Sequence, residues 1–256
     1  ETGGEVTMKV PDVAIDHTLT WPAASGNVDN ILQTDTSGVL SWVSGNETYI
    51  STAKLATTTW SAAAATEANS WNSVAWSPEL TLFVAVAGDG TNRVMSSPDG
   101  VVWTVRTAAQ ANVWNAVVWA TELTLFVAVS ESGANRVMTS PDGITWTSRT
   151  AAQLNEWVDI TWSPALSLFI AVANTGTNKL MSSPDGISWS AVGSMPTAAA
   201  FHSVVWAADI GLFCAVTTSG VVSQILISSD GVTWTLSTQP ETNNWESVTW
   251  LYIIHI

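Results

Sequence analysis

The sequence predicts an all-β protein, a five-bladed β-propeller of four-stranded blades, from three observations. A motif recurs about every 43 residues along most of the chain. Each copy divides into four short strand patterns separated by turn-forming residues. Charged residues make up 11% of the chain and it holds 16 tryptophans, a composition that indicates tightly packed strands with small polar turns.

The repeat is clearest in three successive copies. Residues 71–103, 114–146 and 157–189 align without a gap, and each begins and ends with tryptophan. A looser fourth copy runs from Phe201 to Trp234, and a fifth begins at Trp245. Four-stranded units of this period are typical of propeller blades, which bury their faces against their neighbours.

Each copy predicts four strands in the same order. In the first copy, SVAW alternates apolar and polar residues, and LFVAV is a continuous apolar run. NRVMSS is short, and VVWTV follows the turn Ser-Pro-Asp-Gly, in which proline presets the backbone of a type I β-turn. β-Branched residues and turn formers interrupt every candidate helix, so we expect no helix of useful length.

The two ends of the repeat region predict the number of blades. Trp60 precedes Trp71 by 11 residues, as Trp103 precedes Trp114, so Trp60 marks the last strand of an earlier blade. That blade lacks an inner strand, whereas residues 245–256 provide an inner strand without the other three. Joining them predicts five blades, the first closed by both termini, which removes exposed sheet edges. The final WLYIIHI departs from the repeat and is either a pairing strand or a truncated end.

We divide the chain into a leader, residues 1–38, and a propeller, residues 39–256. Around the boundary, ILQTD and VLSWV predict a strand pair about Thr-Ser-Gly, and a disordered leader is the alternative. The segments Leu19–Gly26 and Ile31–Trp42 resemble linkers of phage tail-fibre and related adhesin proteins. This resemblance implies an extracellular or virion-associated protein and an oligomer formed through the N-terminal segment.

Four copies of the motif Ser-x-Asp-Gly-x-x-Trp occur at blade spacing. Its residues are Ser97, Asp99, Gly100, Trp103, Ser140, Asp142, Gly143, Trp146, Ser183, Asp185, Gly186, Trp189, Ser228, Asp230, Gly231 and Trp234. The motif resembles the Asp-box of sialidase-type (BNR) propellers, in a shortened form with glycine directly after aspartate. The resemblance implies a structural role, in which serine and aspartate bind the hairpin backbone and tryptophan packs inside the blade.

The same resemblance raises a glycosidase as an alternative function. Sialidases of this type use an arginine triad, a tyrosine nucleophile paired with glutamate, and an aspartate acid. The four arginines of this chain form two repeat-equivalent pairs, and Tyr49 and Tyr252 lie outside the regular copies. A specialised active site breaks internal symmetry, so we expect that the protein is not an enzyme.

Composition and charge narrow the remaining function classes. His17, His202 and His255 are dispersed and Cys214 is the single cysteine, so we expect no metal site, no cofactor and no internal disulfide. A net charge of −14 excludes nucleic acid as a partner and disfavours an anionic membrane surface. No apolar run is long enough to span a bilayer.

We expect a binding site on the loops that join second to third strands and each blade to the next, because these loops share one face. Their polar residues are Asn92, Arg93, Arg106, Gln110, Asn112, Asn135, Arg136, Arg149, Gln153, Asn155, Asn178 and Lys179. Amide and guanidinium groups bind glycan hydroxyls or carboxylates, and plain solvation is the alternative. Trp71, Trp114 and Trp157 begin inner strands near this face, where they either stack on sugars or pack between blades.

The sequence therefore predicts a non-enzymatic, lectin-like module that binds a glycan or a glycosylated surface receptor. Weak sites repeated on one rigid ring gain affinity through avidity. The alternative is a structural or assembly-factor propeller that binds protein through the same face.

Overall fold

The computed structural model of this chain describes residues 62–193, 196, 199–219, 224–237 and 244–250, and the backbone of strand residues 30–34 and 40–44. The chain forms two compact units, residues 1–61 and 62–256. In the first unit, β1 (Asn30–Thr34) pairs antiparallel with β2 (Leu40–Ser44), with Ile31 opposite Val43. These are the two strands that ILQTD and VLSWV predict. The division into a leader of residues 1–38 and a propeller of residues 39–256 stays a prediction.

The second unit contains four antiparallel sheets of four strands each, which we call blades 1 to 4. Blade 1 consists of β3 (Trp71–Ser77), β4 (Leu82–Ala87), β5 (Val94–Ser97) and β6 (Thr104–Arg106). Blade 2 consists of β7 (Trp114–Ala120), β8 (Leu125–Ser130), β9 (Val137–Ser140) and β10 (Thr147–Arg149). Blade 3 consists of β11 (Trp157–Ser163), β12 (Leu168–Ala173), β13 (Leu180–Ser183) and β14 (Ser190–Ala191). Blade 4 consists of β15 (Ala200–Ala207), β16 (Leu212–Ser219), β17 (Ile225–Ser228) and β18 (Thr235–Leu236).

Within each blade the strands pair in chain order, so every blade is a meander. The first strands of successive blades, β3, β7, β11 and β15, contact one another. Each first strand carries a register shift after its opening aromatic residue, as between Trp71 and Ser73. The four blades are therefore four copies of one unit placed side by side, as the repeat predicts.

The prediction of five blades is wrong for the described residues, which form four four-stranded sheets that do not close into a ring. Residues 244–250 belong to no sheet. They nevertheless follow blade 4, since Trp245 N donates to Thr217 O at 3.4 Å and Val248 N to Ser203 Oγ at 3.3 Å. The described residues of the fifth copy thus run beside blade 4 without forming a strand. Trp60, the proposed last strand of that blade, lies outside the described residues.

The hydrophobic core lies between neighbouring blades. One cluster joins blades 1 and 2, a second joins blades 2 and 3, and a third joins blades 3 and 4. The second strand of each blade is covered on both faces, and for this reason LFVAV and its copies are continuously apolar. In each blade a phenylalanine lies between two tryptophans, as Phe126 does at 4.5 Å from Trp119 and 6.4 Å from Trp146. Area burial by such rings dominates the packing of the blades.

Candidate functional site

Each blade presents its connections at two opposite ends. The turn face holds residues 78–81 and 98–103 and their equivalents, which join first to second and third to fourth strands. The loop face holds residues 88–93 and 107–113 and their equivalents, which join second to third strands and one blade to the next. Trp119 Nε1 donates to Glu79 Oε2 of the preceding blade at 2.7 Å, and Trp162 makes the equivalent bond at 2.7 Å. Successive blades therefore have their turns at the same end.

The arginines of the second-to-third loops are held identically in blades 1 and 2. Arg93 donates Nε to Gly90 O at 3.2 Å and Nη1 to Gly88 O at 2.9 Å. Arg136 makes the two equivalent bonds in blade 2, at 3.0 and 2.6 Å. Both side chains are half-buried. Each guanidinium closes its own loop, and within the described part of the chain its Nη2 atom has no hydrogen-bond partner.

Two of the predicted asparagines are buried and connect neighbouring loops. Asn112 Nδ2 donates to Asn135 O at 2.6 Å, and Asn155 Nδ2 donates to Asn178 O at 2.5 Å. Asn112 lies directly against Gly133, where a β-carbon would overlap its amide group. These amides fasten the loop that enters a blade to the second-to-third loop of the same blade. Their donor groups are therefore committed to the fold.

The same arrangement in blade 1 uses Asn69, whose Nδ2 donates to Asn92 O at 2.5 Å and whose amide lies against Gly90. Asn92 itself also bonds to a glutamate. Asn92 Nδ2 donates to Glu67 Oε1 at 2.6 Å, and its backbone N–H donates to Glu67 Oε2 at 3.1 Å. These bonds lower the pKa of Glu67 below its usual value, the Asn92 side chain having the largest effect. Asn92 therefore holds an ionised carboxylate at the edge of the loop face.

The other predicted polar residues also bond to groups of their own blade or of the loop that leaves it. Arg106 Nε donates to Ser96 Oγ at 2.9 Å, and Arg149 Nε donates to Thr139 Oγ1 at 3.1 Å. Lys179 Nζ donates to Ala199 O at 3.2 Å, and burial lowers the pKa of the lysine. The amide oxygens of Gln110 and Gln153 lie 3.5 and 3.4 Å from the buried asparagine side chains. The loop face is thus a set of repeated, internally bonded loops.

The tryptophans that open the inner strands differ in exposure. Trp114 and Trp157 are fully buried, and their Nε1 atoms donate to Gln110 O and Gln153 O, each at 3.1 Å. Neither indole has exposed surface on which a sugar could stack. Both pack between blades, which is the alternative that the sequence left open. Trp71 is half-buried and donates Nε1 to Glu67 O at 3.2 Å. It lines a cavity of about 330 Å³ with Asn72, Ser73, Val74, Ala85, Met95 and Trp103 on the face of blade 1 that no described residue covers.

The four Ser-x-Asp-Gly turns have one hydrogen-bond pattern. In blade 1, Ser97 Oγ donates to Asp99 Oδ1 at 3.0 Å, and Gly100 N donates to Ser97 Oγ at 2.9 Å. Asp99 Oδ1 also accepts the N–H groups of Val101 and Val102, at 2.8 and 2.9 Å. These bonds lower the pKa of Asp99. The carboxylate is therefore fixed as an acceptor of its own hairpin.

The tryptophans that follow these turns pack inside the blades. Three of them, Trp103, Trp189 and Trp234, donate Nε1 to the carbonyl of the turn glycine at 3.0 to 3.2 Å. Trp146 Nε1 is buried with no hydrogen-bond partner among the described atoms. All four indoles are buried or half-buried. These residues hold the turn against the body of the blade.

Sequence reasoning missed the polar contacts between blades. Asp159 accepts Ser203 Oγ at 2.9 Å and Val204 N at 2.8 Å across the boundary of blades 3 and 4. Burial raises the pKa of Asp159 despite these bonds. The indole–carboxylate pairs could have been predicted from their spacing, because Glu79 and Glu122 each precede the tryptophan that they bind by 40 residues.

Other chemical features are sparse in the described ranges. No group of three or more metal-ligating side chains occurs among those residues. None of the helices found there is long and apolar enough to cross a membrane. Cys214 is half-buried in β16, and burial raises the pKa of its thiol. A raised thiol pKa favours an inert side chain over a nucleophile.

Comparison with known proteins shows the fold. No protein-family model and no curated protein sequence matches this chain. In three dimensions the chain is similar to the nidogen/laminin complex, with a TM-score of 0.54, 9% identity, and coverage of 72% of this chain and 70% of the other. It is similar to the GH74 enzyme of Niastella koreensis, with a TM-score of 0.54, 16% identity, and coverage of 65% and 30%.

A third similar structure is YCF48 from Cyanidioschyzon merolae, with a TM-score of 0.52 and 16% identity, covering 72% of this chain and 61% of that protein. This chain thus spans less than two thirds of the GH74 enzyme and of YCF48. At identities this low, structural similarity shows a shared fold and does not show a shared function. The likenesses and the four-stranded sheets together show an all-β, β-propeller-type repeat protein.

Proposed function

We propose that this chain is a non-enzymatic binding module that contacts its partner through the loop face. The observation that carries the proposal is the pair of arginines, Arg93 and Arg136, which their own loop carbonyls hold in one geometry. Each keeps an Nη2 donor that the described residues leave unbonded. Donors that are already fixed lose little conformational entropy on binding.

The state of the carboxylates supports a role without catalysis. Asp99 and its three equivalents each accept two backbone N–H groups of their own turn. The pKa of Asp230 is lowered to about 2, first by the N–H of Thr233 and then by that of Val232. Carboxylates held in this way remain ionised acceptors and are unsuited to transfer protons near neutral pH.

A glycan is the first candidate ligand. The two free guanidinium edges occupy repeat-equivalent positions, and planar donors of this kind suit carboxylates and hydroxyls. Two equivalent weak sites on one rigid scaffold gain affinity for a polyvalent surface. The resemblance of residues 19–42 to tail-fibre linkers supports an extracellular or virion-associated location, as on a viral or phage fibre. The resemblance of the Asp-Gly turns to the Asp-box supports a relation to sialidase-type propellers.

The test is a glycan array with the intact chain and two variants. We expect the double variant Arg93→Ala/Arg136→Ala to lose a glycan that the native chain binds. The control variant Val101→Ser/Val232→Ser changes exposed residues of the turn face and is expected to retain binding. An array without any bound glycan, or a double variant of unchanged affinity, would count against the glycan hypothesis. Turnover of fluorogenic sialosides or hexosides would favour a glycosidase instead.

A protein partner is the second candidate for the same face. The buried amides of Asn112 and Asn155 are committed to loop carbonyls, which leaves fewer groups for sugar hydroxyls than the sequence suggests. The nidogen/laminin complex further supports protein binding as a use of this kind of fold. Pull-down with and without free sugar separates the two candidates, because sugar competes only with a glycan ligand.

A further inference from the structure

The turn face carries exposed apolar side chains in every blade. The turns between first and second strands place a leucine or isoleucine at one repeat-equivalent position: Leu80, Leu123, Leu166 and Ile210. These side chains are 37% to 56% exposed. Single exposed apolar residues are ordinary on protein surfaces. The same exposure in four equivalent positions at one end of the four blades makes a repeated apolar surface.

A second set of apolar residues lies on the Asp-Gly turns of the same face. The residue directly after the glycine is Val101, Ile144, Ile187 or Val232, and these four are 46% to 64% exposed. The hairpin requires only their backbone N–H groups, which donate to the aspartate, so packing does not explain the apolar side chains. Serine or threonine would satisfy the turn equally well.

The charge on this face has one sign. The first-to-second turns contribute Glu79, Glu122 and Asp209, whose carboxylates also accept tryptophan N–H groups of the next segment at 2.7 to 3.2 Å. The Asp-Gly turns contribute Asp99, Asp142, Asp185 and Asp230. In the described ranges no lysine or arginine lies on the turn face, because the five described cations all lie toward the loop face.

The carboxylates of the Asp-Gly turns keep their charge over a wide pH range. The N–H groups of the hairpins lower the pKa of Asp99, and they outweigh the opposing effect of burial at Asp142 and Asp185. The face is therefore apolar and anionic at any pH near neutrality. An anionic face is repelled by an anionic lipid surface and attracts a cationic partner.

We propose that the turn face is a docking surface for a cationic amphipathic protein segment, in which apolar side chains meet the two apolar sets and lysine or arginine meets the carboxylates. Charge complementarity supplies orientation and a fast encounter, and burial of the apolar sets supplies most of the affinity. This surface is at the opposite end from the arginines of the proposed function, so either proposal can fail while the other stands.

The probe is a synthetic helical peptide with one leucine face and one lysine face, titrated calorimetrically against the full chain. Two matched peptides test the chemistry: one has glutamate for each lysine, and one has serine for each leucine. We expect measurable binding of the leucine–lysine peptide that weakens with salt, and at least about tenfold weaker binding of both matched peptides. Equal binding of the glutamate peptide would overturn the proposal.

Variants locate the site. We expect Leu123→Ser/Ile144→Ser/Leu166→Ser/Ile187→Ser to weaken binding by about tenfold or more. Val101→Lys/Val232→Lys changes only exposed side chains and is expected to weaken binding by charge repulsion, so the test survives if the quadruple variant does not fold. Arg93→Ala/Arg136→Ala is the loop-face control and should bind as the native chain does. Unchanged affinity in both turn-face variants would overturn the proposal.

Sedimentation of the chain without peptide tests whether the turn face binds a second copy of the chain. We expect the native chain and Val101→Lys/Val232→Lys to sediment alike over a concentration series. Self-association that this variant abolishes would assign the turn face to a second copy of the chain and overturn the proposal.

Discussion

Blades 1 to 3 have nearly the same sequence and blade 4 is a looser copy, but blade 1 differs from the other three in its surroundings. Blades 2 to 4 each pack one face, which we call the leading face, against the blade before them. Val117 and Trp119 on this face of blade 2 are 7% and 8% exposed, whereas the equivalent Val74 and Trp76 of blade 1 are 58% and 39% exposed. The difference shows that burial in this fold is a property of the pair of blades, because the equivalent strand of blade 1 stays open where no described residue covers it.

The comparison makes Trp114 the position where truncation should cost most. Trp114 is fully buried between blades 1 and 2, and Trp71 is its half-buried equivalent. We expect Trp114→Ala to lower the free energy of unfolding by about 3–5 kcal/mol, the range for a buried aromatic residue. Trp71→Ala should lower the free energy of unfolding by less than half as much, because the described residues cover Trp71 less completely than Trp114. Urea unfolding followed by circular dichroism measures both, and equal losses would mean that blade 1 is covered in solution.

The turn glycines give a second matched pair. A β-carbon on Gly143 would lie 2.8 Å from both Leu82 and Val84 of blade 1, whereas on Gly100 the nearest atom would be 3.6 Å away, in Phe83 of its own blade. Both glycines have positive φ, +69° and +73°, so alanine is strained at either site.

We therefore expect Gly100→Ala to cost about 1 kcal/mol for the backbone. Gly143→Ala should lower the free energy of unfolding by about 1–3 kcal/mol more than Gly100→Ala does, because its methyl group overpacks the boundary between blades 1 and 2. Thermal and urea unfolding of the two variants give the difference. A smaller loss for Gly143→Ala than for Gly100→Ala would contradict the blade-to-blade packing described above.

Much of this architecture is local and therefore predictable from sequence. The four strands of each blade follow from short apolar patterns, and the Asp-Gly turns follow from Ser-Pro-Asp-Gly, since neighbouring residues determine both. The number of blades is not local. The repeat predicts a first strand at Trp245 and takes the strands that pair with it from the segment that ends at Trp60. The described residues form four four-stranded sheets, and residues 244–250 belong to none of them.

The loop face shows the same limit at the scale of single residues. Asn112 and Asn135 were both expected to face a ligand or solvent, because their loops share one face of the repeat. Asn112 is instead buried, since its amide bonds to a carbonyl 23 residues later and lies against Gly133. Such a contact depends on how two loops of one blade meet, and no local pattern encodes it. Arg93 stays exposed enough to remain a candidate ligand residue.

The indole–carboxylate bonds also distinguish blade 1 from blades 2 and 3, with a smaller expected effect on stability. Trp119 Nε1 donates to Glu79 across the first boundary, whereas Trp76 has no acceptor among the described residues. We expect Trp119→Phe to cost about 0.5–1.5 kcal/mol, the range for a hydrogen bond that water can partly replace, because Glu79 is exposed. Trp76→Phe should change stability by less than about 0.5 kcal/mol. Glu79→Gln, which preserves an acceptor, is the control and should lie between them.

The Asp-Gly turns of blades 1 and 4 should show no difference, because in both turns the bonds to the aspartate lie within one hairpin. Asp99 and Asp230 both have a lowered pKa, the latter about 2, so each carboxylate is more acidic in the folded chain than in the unfolded chain. Their contribution to stability is present above the unfolded pKa of about 4 and is lost as pH falls through the folded value.

We expect the stability of the native chain to decline between about pH 4 and pH 2. Asp99→Asn and Asp230→Asn should each reduce this decline by a similar amount, as urea unfolding over that pH range measures. A clear difference between the two variants would show that the neighbouring blade, and not the hairpin alone, sets the acidity of the turn.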